Sequence, residues 1–244
     1  MRNICLQICY DGTRYQGWQR LKSNDTTVQG KLEDTLSRLL GEEIRVIGSG
    51  RTDAGVHAQG QVANFHTEKL MDCREILIQL RGYLPEDIGI ESCKEVSDRF
   101  HARLNAQRKT YCYRIWNSDR PCVFVRRFVH VLPEKLNLEQ MRHAAQTFLG
   151  THDFSAFCAN AKMKKSTVRT LYSLDIVQAG DEVRILVTGN GFLHHMVRIL
   201  AGTLVEVGLG QRDAGSVSQL FGKKREQAGI TLPAKGLCLM EVEY

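Results

Sequence analysis

Asp53 is the residue of this sequence best placed to do chemistry. It lies in Gly50-Arg51-Thr52-Asp53-Ala54-Gly55-Val56-His57-Ala58, a glycine-flanked segment between two strand-like stretches, Ile44 to Ile47 and Gln61 to Phe65. A loop of that composition brings its backbone close to a ligand and displays a charged pair at a strand end, where sites tend to sit. Arg51 beside the carboxylate favours the ionised form, and an ionised carboxylate can act as a nucleophile or a base. Two plainer roles compete. An Asp in a glycine loop more often shapes a turn or caps a helix, and a surface Arg–Asp pair stabilises by only about 0–1 kcal/mol.

Other chemistries fail on spacing. Gly48-x-Gly50 is followed by Asp53 where a dinucleotide loop needs its third glycine, and no Gly-Lys-Ser/Thr closes a phosphate loop. An acidic residue there would also repel phosphate. No second carboxylate stands at the spacing of a glycosidase acid/base pair. His194-His195 lack the H-E-x-x-H spacing of a metal helix, and adjacent helical residues point in different directions, which favours capping or packing. His57 and His66 are isolated and take no role from sequence. A hydrolytic triad is recognised in space and cannot be identified here. Arg108-Lys109-Thr110-Tyr111-Cys112-Tyr113-Arg114 is more distinctive, because aromatic and basic residues alternating along a strand can stack a base while holding its phosphates. Alternation also places Tyr111 and Tyr113 on one face, which is equally the pattern of a buried aromatic pair.

The elements that must position these groups fit an ordinary globular chain. The 244 residues are 43% hydrophobic and 25% charged, enough for one or two domains of roughly 150 residues with a true core. No run of about 18 apolar residues occurs, and Met1 to Tyr10 alternates like a strand without a signal peptide's apolar centre, so a cytoplasmic location is expected. None of the eight cysteines forms a C-x-x-C pair, so neither a bridge nor a metal site is expected. The net charge of +6 leans towards an anionic partner. Basic residues gather at Arg14, Arg20 and Lys22; at Arg103, Arg108, Lys109 and Arg114; at Arg126 and Arg127; at Lys162, Lys164, Lys165 and Arg169; and at Lys223, Lys224 and Arg225. Such groups suit a phosphate backbone; any single one also serves as a solvated face.

Ile4, Leu6, Ile8 and Tyr10 predict a buried strand ended by Asp11-Gly12-Thr13. Val28, Leu32, Leu36 and Leu39-Leu40 mark a helix closed by Gly41. Asp72 caps a helix with Ile76, Leu77 and Leu80 inside, ended by Gly82, and Ile88 to Val96 reads as a strand. In the second half, Thr110 to Trp116 and Phe124 to Leu132 are strand-like. Asn137 with Gln140 resembles a capping box for a helix carrying Met141, Ala144-Ala145 and Phe148-Leu149, closed by Gly150. Leu171 to Val177 and Glu182 to Thr188 form a hairpin around Ala179-Gly180-Asp181. A helix from Met196 to Gly208 and a strand from Leu237 to Tyr244 follow. Comparable strand–helix–strand content in both halves suggests a duplicated α+β unit, divided into residues 1–104 and 105–244, with no linker between the halves.

The chain resembles the TruA family of tRNA pseudouridine synthases over nearly its full length. The match rests on Tyr10-Asp11-Gly12 through Gly17-Trp18-Gln19, on Gly50 to His57, and on Phe100-His101-Ala102-Arg103. It continues with Lys109 to Tyr113, Asp153-Phe154 and Phe192-Leu193-His194-His195-Met196-Val197-Arg198. Separated motifs in the family's order are far more specific than any one alone. The resemblance implies two ferredoxin-like halves sharing a mixed, mostly antiparallel sheet, with an active-site cleft between them. It implies isomerisation of uridine to pseudouridine in tRNA, at positions 38, 39 and 40 of the anticodon stem-loop, by a homodimer with no cofactor and no metal. Asp53 matches the family's nucleophile, Tyr111 its active-site tyrosine, and Arg51 and Arg198 basic residues beside the aspartate. Arg20, Arg103, Lys109, Lys164 and Lys165 are the candidate RNA contacts from the basic groups. Cys112 departs from members that carry a basic residue there. Two alternatives remain: an isomerase of ribosomal RNA, and a non-catalytic RNA-binding module, whose natural signature would be loss of the aspartate.

Overall fold

The computed structural model describes residues 1–21, 26–160 and 165–244. It is an α+β chain whose strands form mixed, mostly antiparallel sheet structure. The chain divides into two compact units, Met1–Gln107 with Leu239–Tyr244, and Arg108–Cys238. The first unit runs β1 (Arg2–Tyr10), α1 (Val28–Leu40), β2 (Ile47–Gly48), β3 (His57–Thr67), α2 (Cys73–Tyr83) and β4 (Ile88–Val96). The second runs β5 (Arg108–Trp116), β6 (His130–Val131), α3 (Leu138–Gln146), β7 (Gly150–Asp153), β8 (Val168–Ala179), β9 (Glu182–Gly189) and α4 (Met196–Gly208). A last strand, β10 (Leu237–Glu243), ends the chain. No helix of the described residues is long and apolar enough to cross a membrane, and all eight cysteines carry free thiols.

In the first unit the strand order is β4-β1-β3-β10, with β2 on β3. β1 is antiparallel to both its neighbours, setting Leu6 opposite Ala63 and Cys93. Ile4, Leu6 and Ile8 are fully buried on one side of it, while Asn3 and Cys5 are buried on the other, so the strand is covered on both faces. Buried Asn3 donates to Ser97 O and Phe100 O at 2.9 and 2.8 Å, and Asn64 donates to Asn3 at 2.9 Å while accepting from Ala102 N at 2.9 Å. This polar chain pins the Phe100-His101-Ala102-Arg103 motif. In α1 the Thr27 hydroxyl accepts from Gly30 N at 3.2 Å, and Gly41 ends the helix at φ 65°, a left-handed position that costs glycine little. The helix α2 runs one residue past Gly82 to Tyr83 and stops because Pro85 forces Leu84 to be extended.

The second unit orders its strands β5-β9-β8-β7, with the short β6 parallel to β5. The hairpin β8–β9 turns at Gly180, φ 61°. All of α4 is buried except Arg198 and Glu206. Buried Glu182 takes a fork of two hydrogen bonds from Arg114, 2.7 and 2.8 Å, and one from Arg184 at 2.7 Å. Burial alone would push its carboxyl up; those bonds outweigh it and hold the carboxyl below its usual range.

Three strand and helix expectations meet a different structure. Ile44 to Ile47 is strand only at its end, in β2. Phe124 to Leu132 is no strand beyond β6: Val125 N donates to Cys122 O and Phe128 N to Val125 O in successive turns, and Phe124 is 97% exposed. An apolar run becomes a strand only where a neighbour pairs with it, and this one finds none outside β6. The helix α3 ends at Gln146, short of Phe148 and Leu149, and Gly150 (φ 93°) opens β7 instead. The boundary falls at Gln107, and Leu239–Tyr244 groups with the first unit, because β10 lies beside β3 so closely that a Cβ on Gly60 would sit 2.2 Å from Met240 O.

Candidate active site

The loop carrying Asp53 is held by the segment that follows β1, some forty residues earlier in sequence. Gly12 packs so tightly on it that a Cβ there would lie 2.0 Å from Val56 O. Gly17, at φ 90°, would place a Cβ 2.6 Å from Thr52 O and 3.1 Å from the carbonyl carbon of Asp53. Only glycine permits either approach. Backbone bonds lock the two segments together: Trp18 N donates to Thr52 O at 3.0 Å and Gly55 N to Tyr15 O at 3.2 Å. Val56 N closes a turn onto Asp53 O at 3.1 Å. The buried Tyr10 hydroxyl shares a 2.8 Å hydrogen bond with Thr52 Oγ1. Behind the loop, buried Ser49 donates to Gln61 Oε1 at 2.6 Å, and Gln61 donates to Gly50 O at 3.0 Å. The backbone at Gly50, Thr52, Asp53, Gly55 and Val56 is therefore held by hydrogen bonds, and the Asp53 side chain stands half-buried on that turn.

His57, given no role by sequence, proves to be part of this clamp. It is 3% exposed, and its Nδ1 accepts from Gly12 N at 3.0 Å. The same nitrogen lies 3.2 Å from Asp11 Oδ1. Those two contacts demand opposite protonation of Nδ1. A backbone N–H can only donate, so Nδ1 serves Gly12 as the acceptor. The signal that could have found this is the glycine pair at 12 and 17, both of which a close backbone approach requires.

In the second unit, Tyr111 lies on β5 with its ring edge-on to Phe192, centroids 5.1 Å apart. Tyr111 is 7% and Tyr113 0% exposed. Tyr113 donates from its hydroxyl to Pro233 O at 2.8 Å, and burial pushes that phenol up while the nearby Arg198 charge partly offsets the shift. Arg198, half-buried on the first turn of α4, donates from Nε to Leu232 O at 2.7 Å. The chain enters α4 through His195, a left-handed residue at φ 61° whose ring lies 3.9 Å from that of His194. A non-glycine residue held there carries strain of about 1 kcal/mol or more, a cost found mostly where function requires it.

The remaining sequence candidates separate. Arg51 is exposed on the Asp53 loop, and Lys109 is half-buried two residues before Tyr111. Arg20 directs its guanidinium to Asp34 at 2.8 Å and Glu33 at 3.3 Å. Arg103 and Lys165 are exposed, and Lys164 lies outside the described residues. Several other basic residues are likewise committed within the chain: Arg14 to Asp87 at 2.7 Å, Arg114 to Glu182, and Arg108 over the Tyr172 ring at 4.7 Å.

A family model described as tRNA pseudouridine synthase matches residues 8–105 and 144–244, which include Arg51, Asp53, Phe192 and Arg198. Curated relatives align end to end. The protein named tRNA pseudouridine synthase A 2 of Bacillus cereus (strain ZK / E33L) is 47% identical over 245 residues, covering 100% of both chains. The one named tRNA pseudouridine synthase A 1 of Clostridium tetani (strain Massachusetts / E88) is 46% identical with the same full coverage. On the matched segments and the end-to-end identity together, this chain belongs to the tRNA pseudouridine synthase family.

Proposed function

We propose that the protein isomerises uridine to pseudouridine in tRNA, with Asp53 as the group that acts on the target nucleotide. The observation that supports this most is the Asp53 turn: a half-buried carboxylate whose backbone is clamped by Gly12 and Gly17. In this reading the substrates are uridines 38, 39 and 40 of the anticodon stem-loop. Two ferredoxin-like halves form a cleft, with Arg51 and Asp53 supplied by the first and Tyr111 and Arg198 by the second. The working form is a homodimer, which sedimentation of the purified chain would test.

The reaction is internally balanced. The bond from the ribose to uracil nitrogen 1 breaks, the ring turns, and carbon 5 bonds to the ribose; carbon 5 loses a proton and nitrogen 1 gains one. No redox partner is consumed, and none is required by the residues assigned. The nucleotide must leave its stack, at a cost of a few kcal/mol, less in a loop than in a stem. Asp53 then acts at the ribose or the ring as the bond breaks. Tyr111 packs on the base and helps remove the proton from carbon 5. Holding the detached uracil beside the ribose keeps recombination effectively unimolecular.

Asp53→Asn should abolish tritium release from carbon-5-labelled uridine in tRNA while tRNA binding stays close to wild type. Activity within a few-fold of wild type would refute the role given to Asp53. Mapping pseudouridine in tRNA and ribosomal RNA transcripts after incubation separates the tRNA reading from its ribosomal alternative; modification confined to ribosomal RNA would overturn it.

A further inference from the structure

Arg169, the second residue of β8, uses only part of its guanidinium inside the chain. Its Nη1 donates to Ser166 O at 2.9 Å and to Val168 O at 2.6 Å, which ties the group back onto the turn leading into the strand. Among the described residues nothing accepts from Nε or Nη2. Those two nitrogens form the edge of a guanidinium that grips a carboxylate or a phosphate with parallel bonds, and Arg114 uses the same pair on Glu182. Arg2, Arg14 and Arg114 each have a carboxylate partner; among the described residues Arg169 has none. The side chain is half-buried, and burial pushes its guanidinium below the usual range with no acid to offset that shift.

A neighbouring glycine keeps that edge open. A Cβ on Gly191 would lie 3.7 Å from Arg169 Nε and 3.9 Å from its Cδ, so any other residue there would lay a side chain against the guanidinium. The backbone of Gly191 is not left-handed, so what glycine supplies at this position is space. Two bonds lock the start of β8 to the segment containing Gly191: Thr170 N donates to Asn190 Oδ1, and Asn190 N to Thr170 O, both at 3.0 Å. The next residue, Phe192, is half-buried and stands edge-on to Tyr111. The second unit therefore holds an unused pair of donors at a fixed place beside the Phe192–Tyr111 pair.

We propose that Arg169 binds a phosphodiester of the RNA strand next to the target uridine, gripping it through Nε and Nη2. The inference rests on the reading that the uridine packs on Tyr111. A guanidinium has donors and no acceptor, so its open edge selects an anion. A phosphodiester is the anion that accompanies a base to an aromatic platform. The contact carries no base information; it fixes which backbone position sits beside Tyr111, and so sets the register of the strand. Arg169 differs in this from an exposed lysine, whose flexible point charge meets phosphates without fixing one of them.

The test uses the full chain and an anticodon stem-loop RNA in which the phosphates around the target uridine are replaced, one at a time, by uncharged methylphosphonates. One replacement should weaken binding to the wild-type chain about ten-fold or more. The same replacement should leave binding to Arg169→Gln unaltered, because its partner is already gone. Gly191→Val keeps the arginine and covers its open edge, and should weaken binding of the unmodified RNA to a similar degree whether or not Arg169→Gln folds well. Arg169→Lys, which keeps the charge and loses the fork, should restore only part of the affinity. Wild-type affinity in both Arg169→Gln and Gly191→Val would overturn the proposal. So would methylphosphonates that weaken the wild type and Arg169→Gln equally at every position. Tritium release from the same RNA separates this outcome from the reading beneath it: normal release without the coupling sinks the role of Arg169 alone, whereas the coupling without release sinks the isomerisation and leaves the phosphate site standing.

Discussion

Two tyrosines one residue apart on β5 show how neighbouring side chains divide their work. Tyr113 is fully buried and its hydroxyl is bound to Pro233 O at 2.8 Å; Tyr111 is buried to 7% exposure with Phe192 against its ring. Removing the Tyr113 hydroxyl takes the donor from Pro233 O, so Tyr113→Phe should cost about 0.5–1.5 kcal/mol in urea unfolding with the single-turnover rate unchanged. Tyr111→Phe should do the reverse. If its hydroxyl helps move the carbon 5 proton, the single-turnover rate should fall about 10²–10⁴-fold. A rate within a few-fold of wild type would confine Tyr111 to packing on the base. The alternation at 111 and 113 was legible in the sequence, and so was the ambiguity between stacking and core; the bond to Pro233 O places Tyr113 in the core.

At the scale of elements, the Asp53 turn is made by contacts that no local spacing encodes. Val28, Leu32, Leu36, Leu39-Leu40 and Gly41 declare α1 because every determinant lies within fifteen residues or so, and the structure reproduces that helix nearly residue for residue. The clamp on Asp53 joins residues 12 and 17 to residues 52–56, and β10 reaches β3 across most of the chain. Motif order hinted at the first; nothing in periodicity could reveal the second. Phe124 to Leu132 failed for the same reason, since strand formation depends on a partner and not on the run itself. The clamp can be tested against an otherwise similar glycine. In Gly12→Ala the new methyl meets backbone 2.0 Å away, so Val56 and the turn onto Asp53 must move. It should lose about 1–3 kcal/mol of stability and about 10²-fold or more in single-turnover rate, the cost of misplacing a reacting group by an ångström. Gly41→Ala, at φ 65° with open space around it, should lose about 1–2 kcal/mol from the left-handed backbone and leave the rate intact. Equal rate losses in the two variants would show that the clamp does not position the carboxylate.

For the molecule as a whole, the net charge of +6 says less about RNA binding than which cations remain available. Arg14, Arg20 and Arg114 are paired with Asp87, with Asp34 and Glu33, and with Glu182, and a paired cation displaces few counterions from RNA. Arg103, Lys165, Lys223 and Lys224 are exposed and stand outside the ion pairs described. Each cation that meets a phosphate should contribute about 0.7–0.9 to the slope of log affinity against log salt. Lys165→Gln and Lys223→Gln should therefore each reduce that slope by about one unit, with no change in rate at saturating tRNA. Arg20→Gln should leave the slope as it is and instead weaken α1 by up to about 1 kcal/mol, since a partly exposed ion pair is worth little more. Filter binding of tRNA across a salt series reads all three. A slope lowered by Arg20→Gln and untouched by both lysine variants would mean that the ion pairs of α1 open to receive RNA, and that the chain's basic surface is arranged by its substrate and not by its own fold.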